Sequence, residues 1–556
     1  MKKIYLGLLL NLLFNSTQAQ TFNWAKREGL DAYDYGYGIA TDNSGNVYVA
    51  GKYEGNANFS GTILPCGGNH DIYLAKYSSA GSLVWINTGG GLLGDYAHAL
   101  STDGSNYVYI AGEIEGSGLV VSFPGSSVTL TTQGDNDVFL AKYALDGTLQ
   151  WATSEGSWHS EKALGVTQNS SGDIYITGYF TDTTKFGGTI ISGGGGEDMF
   201  IAKYNSSGML QWMQHAGGPG REEGKSIKCD AAGNIYICGL FSDGAMFGST
   251  TYNTTTTPSG HYYDAYVAKY SPTGSLIWMK PFGGDYDDVA WSLTTDNAGM
   301  VYVTGEFNAY ATFDSFHLTT AGNSDIFVAS LDPASGAIQW VSQAGGPLID
   351  RARGIGSDGT NLFITGQYGT SAITTASFGT HLATAADSSD IFVSGVSNTG
   401  TFNWVMTVTG VADSVETLGY ESGNAVTATA AGEVYATGSL LNGGVFGTIP
   451  LTAYSRTDVF IAKISQAGVG INEANALNDL YVYPNPTNGT FSIDGSGFNC
   501  KYEMTVENCL GQVISKRSGN PERVINTDLS GNQGGIYFVV LKTEDGKIFK
   551  GKIILQ

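Results

Sequence analysis

The sequence predicts an all-β repeat architecture, and three observations predict it. Gly accounts for 79 of 556 residues, Tyr for 32 and Phe for 25, but Pro for only 12. That mix suits many short strands joined by tight turns, and it holds too many aromatics for a disordered chain. Next, an Asp-led strand recurs seven times: DIYLAKY at 71, DVFLAKY at 137, DMFIAKY at 198, DAYVAKY at 264, DIFVASL at 325, DIFVSGV at 390 and DVFIAKI at 458. The spacings are 66, 61, 66, 61, 65 and 68 residues. Finally, three more markers keep the same period. They are a Trp (Trp24, Trp85, Trp151, Trp212, Trp278, Trp340, Trp404), a Gly closing a strand like NVYVAG (Gly51, Gly112, Gly178, Gly239, Gly305, Gly366, Gly438), and a Phe (Phe59, Phe123, Phe186, Phe247, Phe313, Phe378, Phe446).

Each unit reads as four strands. An inner strand like GIATD comes first, then NVYVAG, then after a long connection DIYLAKY, then a Gly turn into SLVWINTG. Alternation puts Asp71, Tyr73 and Ala75 on one face of the third strand and Ile72, Leu74 and Lys76 on the other. Both faces carry bulk, as a sheet stacked between two like sheets requires. The chain starts on a fourth-strand pattern, TFNWAKREG, and the seventh unit stops at DVFIAKISQAG without a Trp strand. The Trp24 strand is therefore expected to complete the last unit. The expected fold is a closed seven-bladed β-propeller over residues 20–464, which leaves no sheet edge exposed.

The flanks differ in character. Lys2 and Lys3 precede an apolar run at 4–14, and Thr17-Gln18-Ala19 offers small residues for cleavage. Residues 1–19 read as a signal peptide, and the apolar run is too short to span a bilayer. Residues 465–479 read as a linker, and LYVYPNPTNGTFSI opens a C-terminal domain at 480–556. Charge is uneven as well. From Asp479 onward eight acidic residues face eight basic ones, while residues 20–478 hold 42 acidic and 17 basic residues, a net of −25. Such a field opposes nucleic acid and anionic lipid and suits cations, a basic partner or plain solubility.

The repeat elements D-[IV]-[FY]-[LIV]-A-K, G-x-x-x-W and G-N-[VI]-Y-V-x-G resemble the SBBP-type β-propeller repeats of exported bacterial proteins. That resemblance implies the propeller and no particular activity. Pro484-Asn485-Pro486 with Gly489, the central CLGQVI around Gly511, GGIYFVVL at 534–541 and the basic final strand KIFKGKIILQ resemble the C-terminal sorting domain of the type IX secretion system. This second resemblance implies a small β-sandwich read by an outer-membrane export machine, and delivery to the surface of, or secretion from, a Gram-negative bacterium.

Chemistry is harder to find. One aligned position is acidic in every unit: Asp34, Asp95, Glu161, Glu222, Asp288, Asp350 and Glu421. These carboxylates are expected near one mouth of the channel. They either cap turn amides or form a ring that binds a hard cation such as calcium. Lys76, Lys142, Lys203, Lys269 and Lys463 are placed to pair with neighbouring carboxylates. Cys229 and Cys238 lie on two strands of one hairpin, and Cys500 and Cys509 flank a strand in the tail; either pair is a disulfide or two thiols, and Cys66 is unmatched. The arginines of the repeat region are Arg27, Arg221, Arg351, Arg353 and Arg456, a thin supply for a sialidase-like grip on a carboxylate. The spacing Ala75, Gly81, Trp85 matches the tryptophan-docking motif of quinoprotein dehydrogenases, although the adjacent cysteines many of them carry are absent. Neither G-x-S-x-G nor H-E-x-x-H occurs. Non-repeated Trp158, His159 and Trp291 are candidates to line a ligand site or to pack locally. The expectation is a binding or structural module for an extracellular partner, with no catalytic residues or resident cofactor assigned. A glycan or peptide hydrolase or lyase with a propeller-face pocket, and an adhesin, stand as alternatives.

Overall fold

The computed structural model describes residues 20–30, 32–255, 263–369, 374–385, 389–410, 421–466, 480, 482–494, 500–508, 512–544 and 548–556. The expected signal peptide, nearly all of the expected linker, Cys509 and Gly511 lie outside these residues. The chain divides into two compact units, the first ending at Ala467 and the second starting at Gly468. Every regular element described is a strand.

In the first unit one pairing pattern recurs. Tyr35–Thr41 pairs with Val47–Tyr53, that strand with Asp71–Tyr77, and that one with Leu83–Gly89, all antiparallel. Among the described residues the same four-strand order appears seven times. Its seventh instance is discontinuous in sequence. Ser422–Ala428, Val434–Phe446 and Ile449–Gln466 take Gln20–Glu28 as their fourth strand, with Arg27 opposite Phe460 and Gln20 opposite Gln466. The first strands of successive units lie side by side, and that of the seventh lies beside that of the first.

The long connection between second and third strands is itself a hairpin, such as Asn56–Phe59 with Thr62–Pro65. The recurring Phe sits at its tip end, and in six units it packs on the aromatic two residues after the Asp. Phe59–Tyr73 centroids are 4.7 Å apart, Phe186–Phe200 5.1 Å, Phe378–Phe392 4.9 Å and Phe446–Phe460 5.4 Å. These rings are fully or almost fully buried.

Packing between sheets follows the alternation read from sequence. Ile72 and Leu74 join Ala97, Val108 and Ile110 of the second unit, while Tyr73, Ala75 and Tyr77 join Tyr435, Val459 and Ile461 of the seventh. Among the described residues, Trp24, Trp85, Trp151, Trp212, Trp278 and Trp340 each lie under a turn of the next unit. Trp24 Nε1 donates to Ser79 O at 3.1 Å, Trp85 to Leu145 O at 3.2 Å, Trp151 to Ser206 O at 3.1 Å and Trp340 to Asn398 O at 3.0 Å. Gly81 in that turn has φ 84°, and a Cβ there would stand 2.9 Å from the Trp24 ring. Glycine is needed twice over, for the backbone angle and for the ring.

The five repeated lysines divide. Lys76, Lys203 and Lys463 reach Asp42 (3.6 Å), Asp173 (2.9 Å) and Glu433 (2.7 Å). Lys142 and Lys269 instead donate to the carbonyls of Ser206 (3.2 Å) and Pro333 (2.8 Å). Cys229 and Cys238 are free, and the register explains it: Cys229 faces Ile235 while Cys238 faces Ser226.

The second unit holds two sheets, Val482–Tyr483 with Thr490–Asp494 and Val524–Asp528, and Val513–Gly519, Tyr502–Asn508, Gly535–Thr543 and Ile548–Leu555. Phe491, Ile493 and Ile525 of one share a core with Met504, Val539 and Ile553 of the other. Asn485 clamps the last strand, donating to Lys552 O at 2.6 Å and accepting from Ile554 N at 2.9 Å.

Removing residues 20–29 should destabilise the first unit by about 3–5 kcal/mol, because it strips a full strand ladder, Phe22 and the Trp24 dock. Denaturant unfolding measures this, and a truncated chain as stable as the full one would contradict the pairing.

Candidate functional site

The seven aligned acids are spent on backbone amides. Asp34 Oδ2 accepts from Leu30 N at 3.2 Å and Oδ1 from Glu54 N at 3.1 Å. Asp288 accepts from Gly284 N (2.7 Å) and Asn308 N (3.0 Å), and Asp350 from Gly346 N (2.7 Å) and Gly369 N (3.1 Å). Asp95 takes Gly91 N at 2.7 Å, Glu161 takes Ser157 N at 3.3 Å and Ser157 Oγ at 3.0 Å, Glu222 takes Ser242 N at 3.2 Å and Glu421 takes Leu441 N at 3.1 Å. Each of these carboxylates ties the turn that enters its unit, the end of its own second strand, or both. All seven are buried.

Next to them stands the Asp of the preceding unit's third strand. At the turn between the seventh and first units a Cβ on Gly29 would lie 2.4 Å from Asp458 Oδ1 and 2.5 Å from Asp34 Oδ2; at Gly283 the equivalent distances are 2.6 Å to Asp264 Oδ1 and 2.8 Å to Asp288 Oδ2. Glycine makes room for two carboxylates at one seam. Burial, and beyond it the neighbouring carboxylate, pushes Asp34 and Asp95 up to about 7 and Glu161 to about 8, against the pull of their amide donors. Glu222 rises to about 7 and Asp350 to about 6 for the same first reason, and Asp288 rises well above its ordinary value. Among the described residues no group of three or more His, Cys, Asp or Glu side chains is arranged to hold a metal ion.

A different position gathers unlike side chains. Every first strand carries a β-bulge at the same place, between Gly36 and Gly38, Ala97 and Ala99, Ala163 and Gly165, Gly224 and Ser226, Ala290 and Ser292, Ala352 and Gly354, and Gly423 and Ala425. The extra residue is left out of the ladder, and a bulge re-aims it. Those residues are Tyr37, His98, Leu164, Lys225, Trp291, Arg353 and Asn424, all half-buried. Their neighbours must be small because the strands of adjacent units nearly touch there: a Cβ on Gly36 would meet Thr437 Oγ1 at 2.4 Å, and one on Gly38 would meet Leu100 at 2.7 Å.

These side chains meet across unit boundaries. Tyr37 packs on His98 (5.3 Å), and both Lys225 (4.8 Å) and Arg353 (5.2 Å) lie over the Trp291 ring. Asn424 Nδ2 donates to Gly36 O at 2.9 Å.

A second tier follows the aligned acids: Tyr35 opposite Lys52, Tyr96 opposite Glu113, Lys162 opposite Tyr179, Glu223 opposite Leu240, Val289 opposite Glu306 and Arg351 opposite Gln367. Here charges pair. His98 Nε2 is 3.0 Å from Glu113 Oε1, Lys162 Nζ 2.9 Å from Glu113 Oε2, and Arg351 Nε 2.5 Å from Glu306 Oε2. Arg221 pairs with Glu197 and Glu223, and Lys225 with Glu223. Burial would raise the Glu113 carboxyl, but His98 and Lys162 outweigh it and hold it below its ordinary value. Burial lowers Lys52, against the pull of Glu54. Arg221 and Arg351 are thus each held by carboxylates of the chain itself.

Trp291, singled out in the sequence, therefore belongs to this cluster. Trp158 and His159 do not. Trp158 is 79% exposed, and His159 lies 3.8 Å from Asp182. Both line a cleft of about 470 Å³ with Gln133, Thr183, Lys185 and Ile190.

Residues 23–52 match the Beta-propeller repeat family, and residues 481–556 match the Secretion system C-terminal sorting domain. A chain with that domain is handled by type IX secretion, which delivers proteins to the cell surface or beyond it. Over 236 residues, 36% of its length, the chain is 25% identical to an uncharacterized WD repeat-containing protein of Acanthamoeba polyphaga mimivirus. Over 195 residues, 34% of its length, it is 26% identical to the regulatory protein FlaEY of Caulobacter vibrioides. It spans only 17% and 20% of those proteins. Similar solved structures include a quinohemoprotein alcohol dehydrogenase from Comamonas testosteroni, at 12% identity and a TM-score of 0.35 over 83% of this chain and 78% of that one. A glycoside hydrolase of family 32 from Bifidobacterium adolescentis gives 10% identity and a TM-score of 0.25 over 96% and 95%. Neither likeness is close enough to argue from.

The seam carboxyls have folded pKa values above the roughly 4 of an unfolded chain. The folded state therefore keeps protons that the unfolded state has released. Their contribution to stability is fully present below about pH 4 and is lost as the pH rises through about 6 to 8. The melting temperature should fall between pH 5 and pH 8.5, with a shallower slope in Asp34→Asn/Asp95→Asn, and calcium should leave the profile where a chelator does. A melting temperature that climbs across this range would contradict the seam assignment, and a rise with calcium would restore the cation ring.

Proposed function

We propose that the chain is an exported seven-bladed β-propeller that binds an extracellular partner through the unlike side chains on its axis. The supporting observation is the bulge position. Seven first strands share a frame of small residues, yet at the one re-aimed position they carry Tyr37, His98, Leu164, Lys225, Trp291, Arg353 and Asn424. Architecture alone calls for equivalent residues at equivalent places, as the Trp and Asp series illustrate. Seven different residues at one equivalent position are what recognition of an asymmetric ligand calls for.

In this reading residues 1–19 are a removed signal peptide, 20–464 the propeller, 465–479 a linker and 480–556 a β-sandwich read by the secretion machinery. The cyclic neighbourhood of the first strands and the borrowed strand Gln20–Glu28 support the closed ring. Two sheets sharing one core support the sandwich.

A glycan array, with a panel of hydrolase substrates run beside it, tests the axial reading. The chain should bind a ligand that Tyr37→Ala/His98→Ala loses by at least about tenfold, without turnover of any substrate. Equal binding by the variant would move the site elsewhere, and turnover would favour an enzyme. For the export half, deletion of residues 480–556 should leave the propeller folded inside the outer membrane, and normal surface delivery of the deleted chain would contradict it.

A further inference from the structure

Around the axis cations and carboxylates pair closely. Lys225 has Glu223, Arg351 has Glu306, Lys162 has Glu113, and Arg221 has Glu197. Arg353 stands outside this accounting. It has no ion pair or hydrogen bond among the described residues, and its Nε is buried without a partner. Its one specific contact is the face of Trp291, 5.2 Å from the ring centroid. Holding a half-buried guanidinium without a counter-charge is costly, and burial accordingly lowers its pKa, only partly opposed by Glu306.

The geometry narrows what would satisfy it. The Trp291 ring lies on one side of the guanidinium, leaving its N–H donors to be matched. A planar, bidentate acceptor suits that fork. Lys225 lies over the same indole at 4.8 Å, and Tyr37, whose phenol burial keeps protonated, lies near the guanidinium. The net charge of −25 on residues 20–478 works against every anion, and least against a ligand that brings a single negative charge.

We propose that Arg353, over the Trp291 ring at the axis, anchors a ligand through a single carboxylate. This rests on the axial reading above and adds the chemical class of the ligand. Two sources share the chemistry: the acid of a uronic sugar, and the C-terminus of a peptide.

The test uses the full chain with three probes, sodium acetate for the shared group, glucuronate for the sugar and N-acetylalanine for the peptide end, each against sodium chloride at equal ionic strength. Acetate at about 50 mM should raise the melting temperature by about 1–3 °C over chloride and change tryptophan emission. Arg353→Met should lose the rise, scored against its own melting temperature in chloride. Arg353→Lys, which keeps charge and packing but not the fork, should weaken acetate binding about tenfold. Trp291→Phe should keep the rise and lose the emission change. A rise common to the wild type and Arg353→Met, no rise in the wild type, or equal affinity in Arg353→Lys overturns the proposal. Where acetate binds through Arg353, the tighter of glucuronate and N-acetylalanine names the source. A ligand from the array that is lost with Tyr37 and His98 but bound normally by Arg353→Met sinks the carboxylate and leaves the axial reading standing.

Discussion

Everything in the repeat region depends on the contact between one four-stranded unit and the next. The apolar clusters run across the boundaries between units. Ile72 and Leu74 pack against the second unit, and Tyr73 and Tyr77 against the seventh as well as against Phe59 of their own. Three layers enforce this contact from rim to centre. The Trp rings lie under glycine turns, the alternating strands interlock, and the paired acids bind the turns that carry the chain from one unit to the next. An array built this way has no stable end, so a borrowed strand at Gln20–Glu28 completes it better than any polar cap.

The same contact explains the charge. A net −25 would be hard to hold in one fold if every carboxyl were ionised. Much of the acid is not on the surface at all. Asp34, Asp95, Glu161 and Glu222 lie buried at seams with carboxyl pKa values near neutrality, each next to a second buried Asp. At mildly acidic pH the folded chain carries less charge than its composition suggests.

What could be read from sequence was what repeats. The Asp, Trp and Gly series gave strand order, unit number and the offset at Trp24, because a stacked array imposes equal chemistry at equal places. The seven acids were legible as a position, and their two possible roles separated only once their amide partners were known. The hairpin tipped by Phe59 was hidden because its length varies between units. The Cys229 and Cys238 offset was hidden because register is a property of the ladder, and a bulge shifts it between Gly224 and Ser226. The axial residues escaped a search built on similarity, since Tyr37, Lys225 and Arg353 have nothing in common. Their signal was present all the same, as a small residue, an arbitrary one and another small residue before an apolar strand. Trp291 was noticed only because tryptophan is rare.

The account separates a frame that repeats from a site that does not. The measurement that tests this most directly is a chain with alanine at all seven bulge positions, Tyr37, His98, Leu164, Lys225, Trp291, Arg353 and Asn424, scored together for cooperative melting and for capture on the glycan array. The account predicts a chain that still melts cooperatively and captures nothing. A chain that keeps its ligand, or that no longer folds, would contradict it.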